Sequence, residues 1–178
     1  MNYAQINYND VANGIGCRTA LFVSGCTHHC KGCFNEVTWD FNYGEVFNDE
    51  IESEILESLK PGYISGLTIL GGEPMEICNQ KVLRPFIEKI RKELPNKTIW
   101  IYSGYTYEEL TDVSNKRCHS EDTQTILDNI DILVDGEFVL EKRDITLRFR
   151  GSSNQRVIDI KKTIESGTVT LSEYGEKK

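Results

Sequence analysis

The chain has 178 residues, 39% apolar and 27% charged, with a formal net charge of -8. A length in this range favours one domain and buries roughly 70% of the extended-chain surface, enough for a core without disulfide staples. The acidic balance argues against nucleic-acid binding, which needs a basic face toward phosphates, and no apolar run approaches the roughly 20 residues that span a bilayer.

The opening MNYAQINYND lacks the basic-then-apolar layout of a signal peptide. A cytoplasmic setting is therefore expected, and clustered cysteines read as metal ligands before disulfides. Asn13-Gly14-Ile15-Gly16 is a turn. Residues 18–24, RTALFVS, form a strand by apolar and β-branched content. SGCTHHCKGCFN follows at 24–35. Residues 48–59 carry Ile51, Ile55, Leu56 and Leu59 at helical spacing, with Asn48 as N-cap, and Pro61-Gly62 ends them. Residues 66–70 form a second strand, entering Gly71-Gly72-Glu73-Pro74. A helix is expected over 80–94, a strand over 97–102 entering Ser103-Gly104-Tyr105, and a helix over 107–113. Residues 114–122 form a polar loop, 123–129 a helix and 130–134 a fourth strand, ending in Asp135-Gly136. Residues 148–153 make a basic turn, and 157–160 a fifth strand. The role of residues 161–178, a polar tail after a domain spanning 1–160, is not legible.

Strands alternating with helices imply an α/β fold with a parallel sheet. Five units are too few for a closed eight-stranded barrel, so an open partial barrel is expected. The loops at 24–35, 71–74, 103–105 and 135–136 each follow a strand and should meet at one rim, where such sheets collect their chemistry.

Cys26, Cys30 and Cys33 are spaced C-x3-C-x2-C. Three thiolates in one tight loop can turn onto one inorganic centre, and a four-iron cube held by three cysteines leaves one iron open. The alternative is a structural zinc knot with His28 or His29 as fourth ligand, although such sites normally use two separated ligand pairs. The two histidines otherwise read as solvent-facing loop residues, or as hydrogen-bonding partners of a cluster. Cys17, Cys78 and Cys118 read as incidental reduced thiols; Cys17 lies nearest the run. Gly71-Gly72-Glu73 offers either a strand-ending turn or a backbone surface that a small polar ligand can approach.

Together, the cysteine loop and Gly-Gly-Glu-Pro resemble the radical S-adenosylmethionine superfamily. NGIGCRTALFVSGCTHHCKGCFN, SGY, ILVDGEF and RFRGSSNQRVID narrow the resemblance to the family that activates anaerobic (class III) ribonucleoside-triphosphate reductase, over about residues 1–159. Gly32 stands before the third cysteine, where many superfamily members carry an aromatic residue, and Phe34 follows it; this pattern is the reductase activases' own. The resemblance implies an open partial (β/α) barrel of the radical S-adenosylmethionine type. It implies a [4Fe-4S] cluster on Cys26, Cys30 and Cys33. It also implies that S-adenosyl-L-methionine is fixed at its methionine end by Gly71, Gly72 and Glu73, and lined on its adenosine side by Gly32, Cys33 and Phe34. The implied reaction is reductive cleavage of S-adenosylmethionine and formation of a glycyl radical on the reductase, with an electron donor such as flavodoxin and no side-chain acid, base or nucleophile. Asp135 reads as ligand-binding or as a plain Asp-Gly turn. Arg148, Arg150 and Arg156 read as partner-binding or as a solvated turn, Tyr105 as adenine-stacking or core, and Asn35 as orienting its loop through its side chain. The rivals are an activase of another glycyl-radical enzyme, such as pyruvate formate-lyase, an enzyme acting on a small molecule, and a non-catalytic zinc-binding module.

Overall fold

A computed structural model describes residues 1–176. Its centre is a seven-stranded sheet in the order β3-β1-β2-β4-β5-β6-β7. Strands β2 (Cys17–Val23), β4 (Ile64–Gly71), β5 (Thr98–Tyr102) and β6 (Ile132–Asp135) run parallel. Helices α1 (Asp49–Leu59), α2 (Ile77–Glu93), and α3 (Tyr107–Thr111) with α4 (Thr123–Asn129) make the crossovers. Three strands correct the all-parallel expectation. β1 (Asn2–Asp10) pairs antiparallel with β2, and the short β3 (Glu45–Val46) with β1. β7 (Arg156–Asp159) lies antiparallel to β6. The fold is therefore α/β, with a mixed sheet whose parallel strands lie at the centre.

Local chemistry explains most element ends. Asn48 caps α1, its side chain accepting from the N–H groups of Glu50 and Ile51 at 3.1 and 3.0 Å. Thr106 and Glu109 form a reciprocal capping box on α3. Leu83, Phe86, Ile87 and Ile90 put one stripe of α2 wholly into the core. They pack on Leu21, Val23, Leu67, Ile69, Ile99, Ile101 and Leu133, alternate residues of the central strands.

The residues between those, on the other face, form a second and smaller cluster. Trp100, Ile132, Val134 and Val157 meet Ile15, Tyr102, Phe149 and Tyr174 there. Arg18 is buried beside them, its guanidinium 5.3 Å from the Trp100 ring centroid. Residues 161–176 return to this unit. α5 (Ile160–Ser166) follows β7 directly, and Leu171 bridges back to Ile158. Tyr174 stacks on Trp100 at 5.8 Å. Residues 177–178 of the expected tail lie outside the described residues. Among the described residues no helix is long and apolar enough to cross a membrane.

Candidate functional site

Because β2, β4, β5 and β6 are parallel, the loops that follow them share one edge of the sheet. They enclose an open cleft of about 210 Å³ over the smaller-cluster face, lined by Cys26, Cys30, Cys33, Phe34, Gly71, Gly72, Glu73 and Gly104, with Tyr102 and Val134 below. The expected convergence of the four loops is present.

All six cysteines are free. Cys17 opens β2 and the cysteine loop follows its other end, so proximity in sequence does not bring Cys17 to the cleft. Cys118 is buried, its thiol donating to the Glu109 carbonyl at 3.3 Å, and Cys78 is exposed. The cleft thiols have a different setting. Cys26 accepts from the N–H groups of His28 and His29, Cys30 from Phe138, and Cys33 from Asn35 at 3.4 Å. Burial nevertheless pushes the Cys26 thiol up to about 12 and raises Cys30. For Cys26 and Cys30 that penalty of burial stands against the backbone N–H groups, which favour the thiolate. Among the described residues no three His, Cys, Asp or Glu groups converge on a single-ion site. Three thiols lining one cleft are the donor type that iron–sulfur clusters use.

His28 is not solvent-facing. Its side chain is only 3% exposed and lies between two carboxylates, Nε2 3.2 Å from Glu73 Oε2 and Nδ1 2.6 Å from Glu137 Oε1. Burial works against its charge, but the two carboxylates outweigh that and raise its pKa. The ring packs 4.3 Å from Tyr105, and a side chain at Gly104 would collide with it at 2.7 Å. A ring held this way is committed away from a zinc knot. His29 is exposed and stacks on Trp39 at 4.6 Å.

Glu73 is buried and its carboxylate is fully engaged. Oε1 accepts from the Met75 N–H at 2.8 Å and from the Ser103 hydroxyl at 2.9 Å; Oε2 accepts from the Gly104 N–H at 2.6 Å. It braces the β4 and β5 loops against each other. The N–H groups of Gly72 and Glu73 donate to Val23 and Gly25 carbonyls at 2.7 and 2.8 Å. Gly72 is glycine because the chain itself crowds it: a Cβ there would lie 2.6 Å from the Gly25 carbonyl oxygen. These two N–H groups are internal fastenings rather than free donors for a ligand.

Several side chains escaped sequence reasoning. Glu76 Oε1 accepts from the Thr27 N–H at 2.8 Å and from its hydroxyl at 2.6 Å. Asn79 donates to the carbonyls of Ser24 and Glu73 at 3.0 and 2.9 Å. Their signal was a polar pair three residues apart at the head of an apolar helix. Trp39 lines the cleft with its indole N–H buried and without a hydrogen-bond partner. A buried donor so placed is available to a water or to a bound ligand.

The weaker candidates resolve structurally. Asp135 is buried, accepts from the Tyr107 N–H at 2.8 Å and from Arg156 Nε at 3.0 Å, and so holds the start of α3. Arg156 also forks onto Glu108. Arg150 donates to the carbonyls of Gln155 and Gly175, and the Arg148 guanidinium lies 5.2 Å from the Phe149 ring. Tyr105 is a core residue. Asn35 orients its loop through its backbone, its carbonyl accepting from Thr38 and its N–H serving Cys33. Phe34 lines the cleft yet is 75% exposed. Gly32 lies beneath Leu140.

Residues 12–158 match the family model of a 4Fe-4S single cluster domain. The chain is 43% identical over 157 residues to the anaerobic ribonucleoside-triphosphate reductase-activating protein of Haemophilus influenzae, an alignment spanning 87% of this chain and 96% of that protein. The protein of the same name in Escherichia coli K12 is 39% identical over 88% of this chain and 97% of its own length. The one in Enterobacteria phage T4 is 35% identical over 88% and 93%.

Proposed function

Because the chain belongs to the family of anaerobic ribonucleoside-triphosphate reductase-activating proteins, with a 4Fe-4S single cluster domain, we propose that it activates such a reductase by radical S-adenosylmethionine chemistry. The observation that carries the reading is the meeting of three free thiols, each supplied with backbone N–H donors, and the Gly71-Gly72-Glu73 strand end in one cleft. Cys26, Cys30 and Cys33 would hold the cluster. A [4Fe-4S] cluster held there would supply one electron to the sulfonium of S-adenosylmethionine, breaking its S–C5′ bond to give methionine and a 5′-deoxyadenosyl radical that would take a hydrogen atom from a glycine of the reductase.

The chain's own part is positioning. Backbone N–H groups on the three sulfurs offset thiolate charge. Gly71 and Gly72 let the strand end pack tightly on the Val23 and Gly25 backbones, and the methionine end of the ligand would lie along that strand end. Glu73 acts at second hand, by fixing the Gly104 and Met75 backbones beneath that end. The Trp39 indole N–H offers a donor to the same ligand. Phe34 and Cys33 flank its adenosine side. A flavodoxin-like protein is the proposed electron donor.

The test is anaerobic reconstitution with iron and sulfide, reduction, and assay of 5′-deoxyadenosine from S-adenosylmethionine, without and then with the reductase. Product together with a glycyl radical signal on the reductase is expected. One tightly bound zinc in place of iron, or an intact cluster that yields neither product nor glycyl radical with the reductase present, overturns the reading.

A further inference from the structure

The cysteine loop is gripped by a segment more than a hundred residues away. Glu137 reaches from the end of β6 to His28 Nδ1 at 2.6 Å. The Phe138 N–H serves the Cys30 sulfur, and the Phe138 ring lies 6.2 Å from that of Phe34. Leu140 covers Gly32, its Cδ1 3.1 Å from where a Cβ would stand. The Arg143 guanidinium sits 5.3 Å from the Phe34 ring centroid. Positions 28, 30, 32 and 34 are thus each met by a residue from 137–143. Cys30 and Cys33 lie inside this grip.

The segment is itself backed by the basic turn. The Val139 N–H donates to Ser152 Oγ at 3.2 Å, Ser153 N–H to the Lys142 carbonyl at 2.9 Å, and Asp144 N–H to the Gly151 carbonyl at 3.1 Å. Asn154 donates to the Glu137 carbonyl at 2.8 Å and Gln155 to that of Gly136 at 2.9 Å. Gln155 also closes its own turn, its Oε1 accepting from the N–H groups of Gly151 and Ser152 at 2.9 and 3.1 Å. RGSSNQR therefore serves as the backstop of 137–143, a role that composition alone did not suggest.

We propose that residues 137–143 are a clasp that holds the cysteine loop closed around its cluster, with Glu137 as the positioning residue acting through His28. The proposal rests on the cluster reading for its consequence in the loaded protein, but not for its geometry. Groups just outside a metal's direct ligands orient those ligands and control retention of the metal and its exposure to solvent. Here that shell comes from one continuous arm and is anchored by an acidic side chain that is 51% exposed. Removing that side chain should loosen the loop without emptying the core.

Two measurements test this. In the metal-free protein, alkylation of each cysteine by iodoacetamide is followed by mass spectrometry, with exposed and remote Cys78 as internal reference. Glu137→Ala should speed alkylation of Cys30 and Cys33 relative to Cys78. Glu137→Gln, whose amide oxygen still accepts from the imidazole, should restore the original rates. In the anaerobically reconstituted protein, Glu137→Ala should release iron to a chelator about 10-fold faster or more. Arg143→Ala should shift both readouts in the same direction. Both residues are exposed, so urea midpoints should barely move. Unchanged alkylation and iron release in Glu137→Ala and Arg143→Ala overturns the clasp. A protein that assembles no four-iron cluster overturns the proposed function instead, while the alkylation series still decides the clasp.

Discussion

At the starting ends of the parallel strands, Arg18 is buried among acceptors that satisfy it completely. It donates to the Thr68 hydroxyl at 2.7 Å, the Thr98 hydroxyl at 2.8 Å, and the carbonyls of Leu67, Thr98 and Ile15 at 2.7, 3.0 and 3.3 Å. Burial lowers its pKa to about 10, so it stays charged near neutrality. At the finishing ends of the same strands, three thiols meet backbone N–H donors, and no Lys or Arg is among the described residues that line their cleft. Both ends bury polar groups on one face of one sheet. The first is balanced by protein alone and reads as structure. The second is balanced only with a guest and reads as a site. The useful distinction is whether a buried group's chemistry closes within the chain.

Mutation at each end should break different things. The largest expected effect is at the site: Cys26→Ala, Cys30→Ala or Cys33→Ala should each abolish a stable cluster and all S-adenosylmethionine cleavage, checked by iron per chain and by 5′-deoxyadenosine. Retained cleavage in any of the three would falsify the ligand assignment. The urea midpoint of the metal-free variants should hardly change. Arg18→Met should do the reverse. It takes a donor away from the carbonyls of Leu67, Thr98 and Ile15, and from the Thr68 and Thr98 hydroxyls, which still donate to the Asn13 and Ser65 carbonyls; a buried group left unpaired costs about 1–3 kcal/mol. A loss of about 3 kcal/mol in urea unfolding of the metal-free protein is expected, with iron loading of the folded fraction unchanged. A variant that unfolds normally but cannot load iron would erase the distinction between the ends.

Glu73 lies on the boundary. If it braces loops, Glu73→Gln swaps one acceptor for a donor opposite the N–H of Gly104 or the hydroxyl of Ser103. That should cost about 1–2 kcal/mol even with no ligand present. If it only touched ligand, the metal-free protein would keep its stability and S-adenosylmethionine affinity alone would fall. Urea unfolding without ligand separates these outcomes.

What the sequence made legible was local. Asn48 and its cap, the α2 stripe and the four loops after β2, β4, β5 and β6 depend on neighbours or on a short repeat. β1 was missed because its burial is shallow and irregular: of its residues only Tyr3 is buried. Its antiparallel pairing with β2 then followed from the tight turn at 11–16. Residue 157 onward reads as a strand, but nothing local says that it runs against β6. His28 looked solvent-facing because its partners, Glu73 and Glu137, lie 45 and 109 positions away. For the same reason Arg18 gave no sign of being buried. Spacing located the three cysteines; what holds them in place is tertiary.

Asp131 offers the smallest and most selective test of the closed end. It sits just before β6 and accepts from the Ile99 N–H at 2.7 Å and from Arg91 Nη2 at 2.8 Å, with Lys161 Nζ at 2.5 Å. Burial disfavours its charge, but Lys161, Arg91 and the Ile99 N–H outweigh it and hold the carboxyl below its ordinary value of 3.8. A carboxyl depressed on folding stabilises the folded state fully above its unfolded value, and that contribution fades as pH falls through it. Asp131→Asn keeps the shape and removes the charge. The gap in urea midpoint between the metal-free parent and the variant should therefore be widest near neutrality and narrow progressively as pH falls below about 5. An unchanging gap would mean that Asp131 acts by shape alone. Because Ile99 and Arg91 belong to β5 and α2, the variant should loosen the starting ends of the strands while the cysteine loop keeps the thiol reactivity of the parent, and that contrast separates the two ends without any metal present.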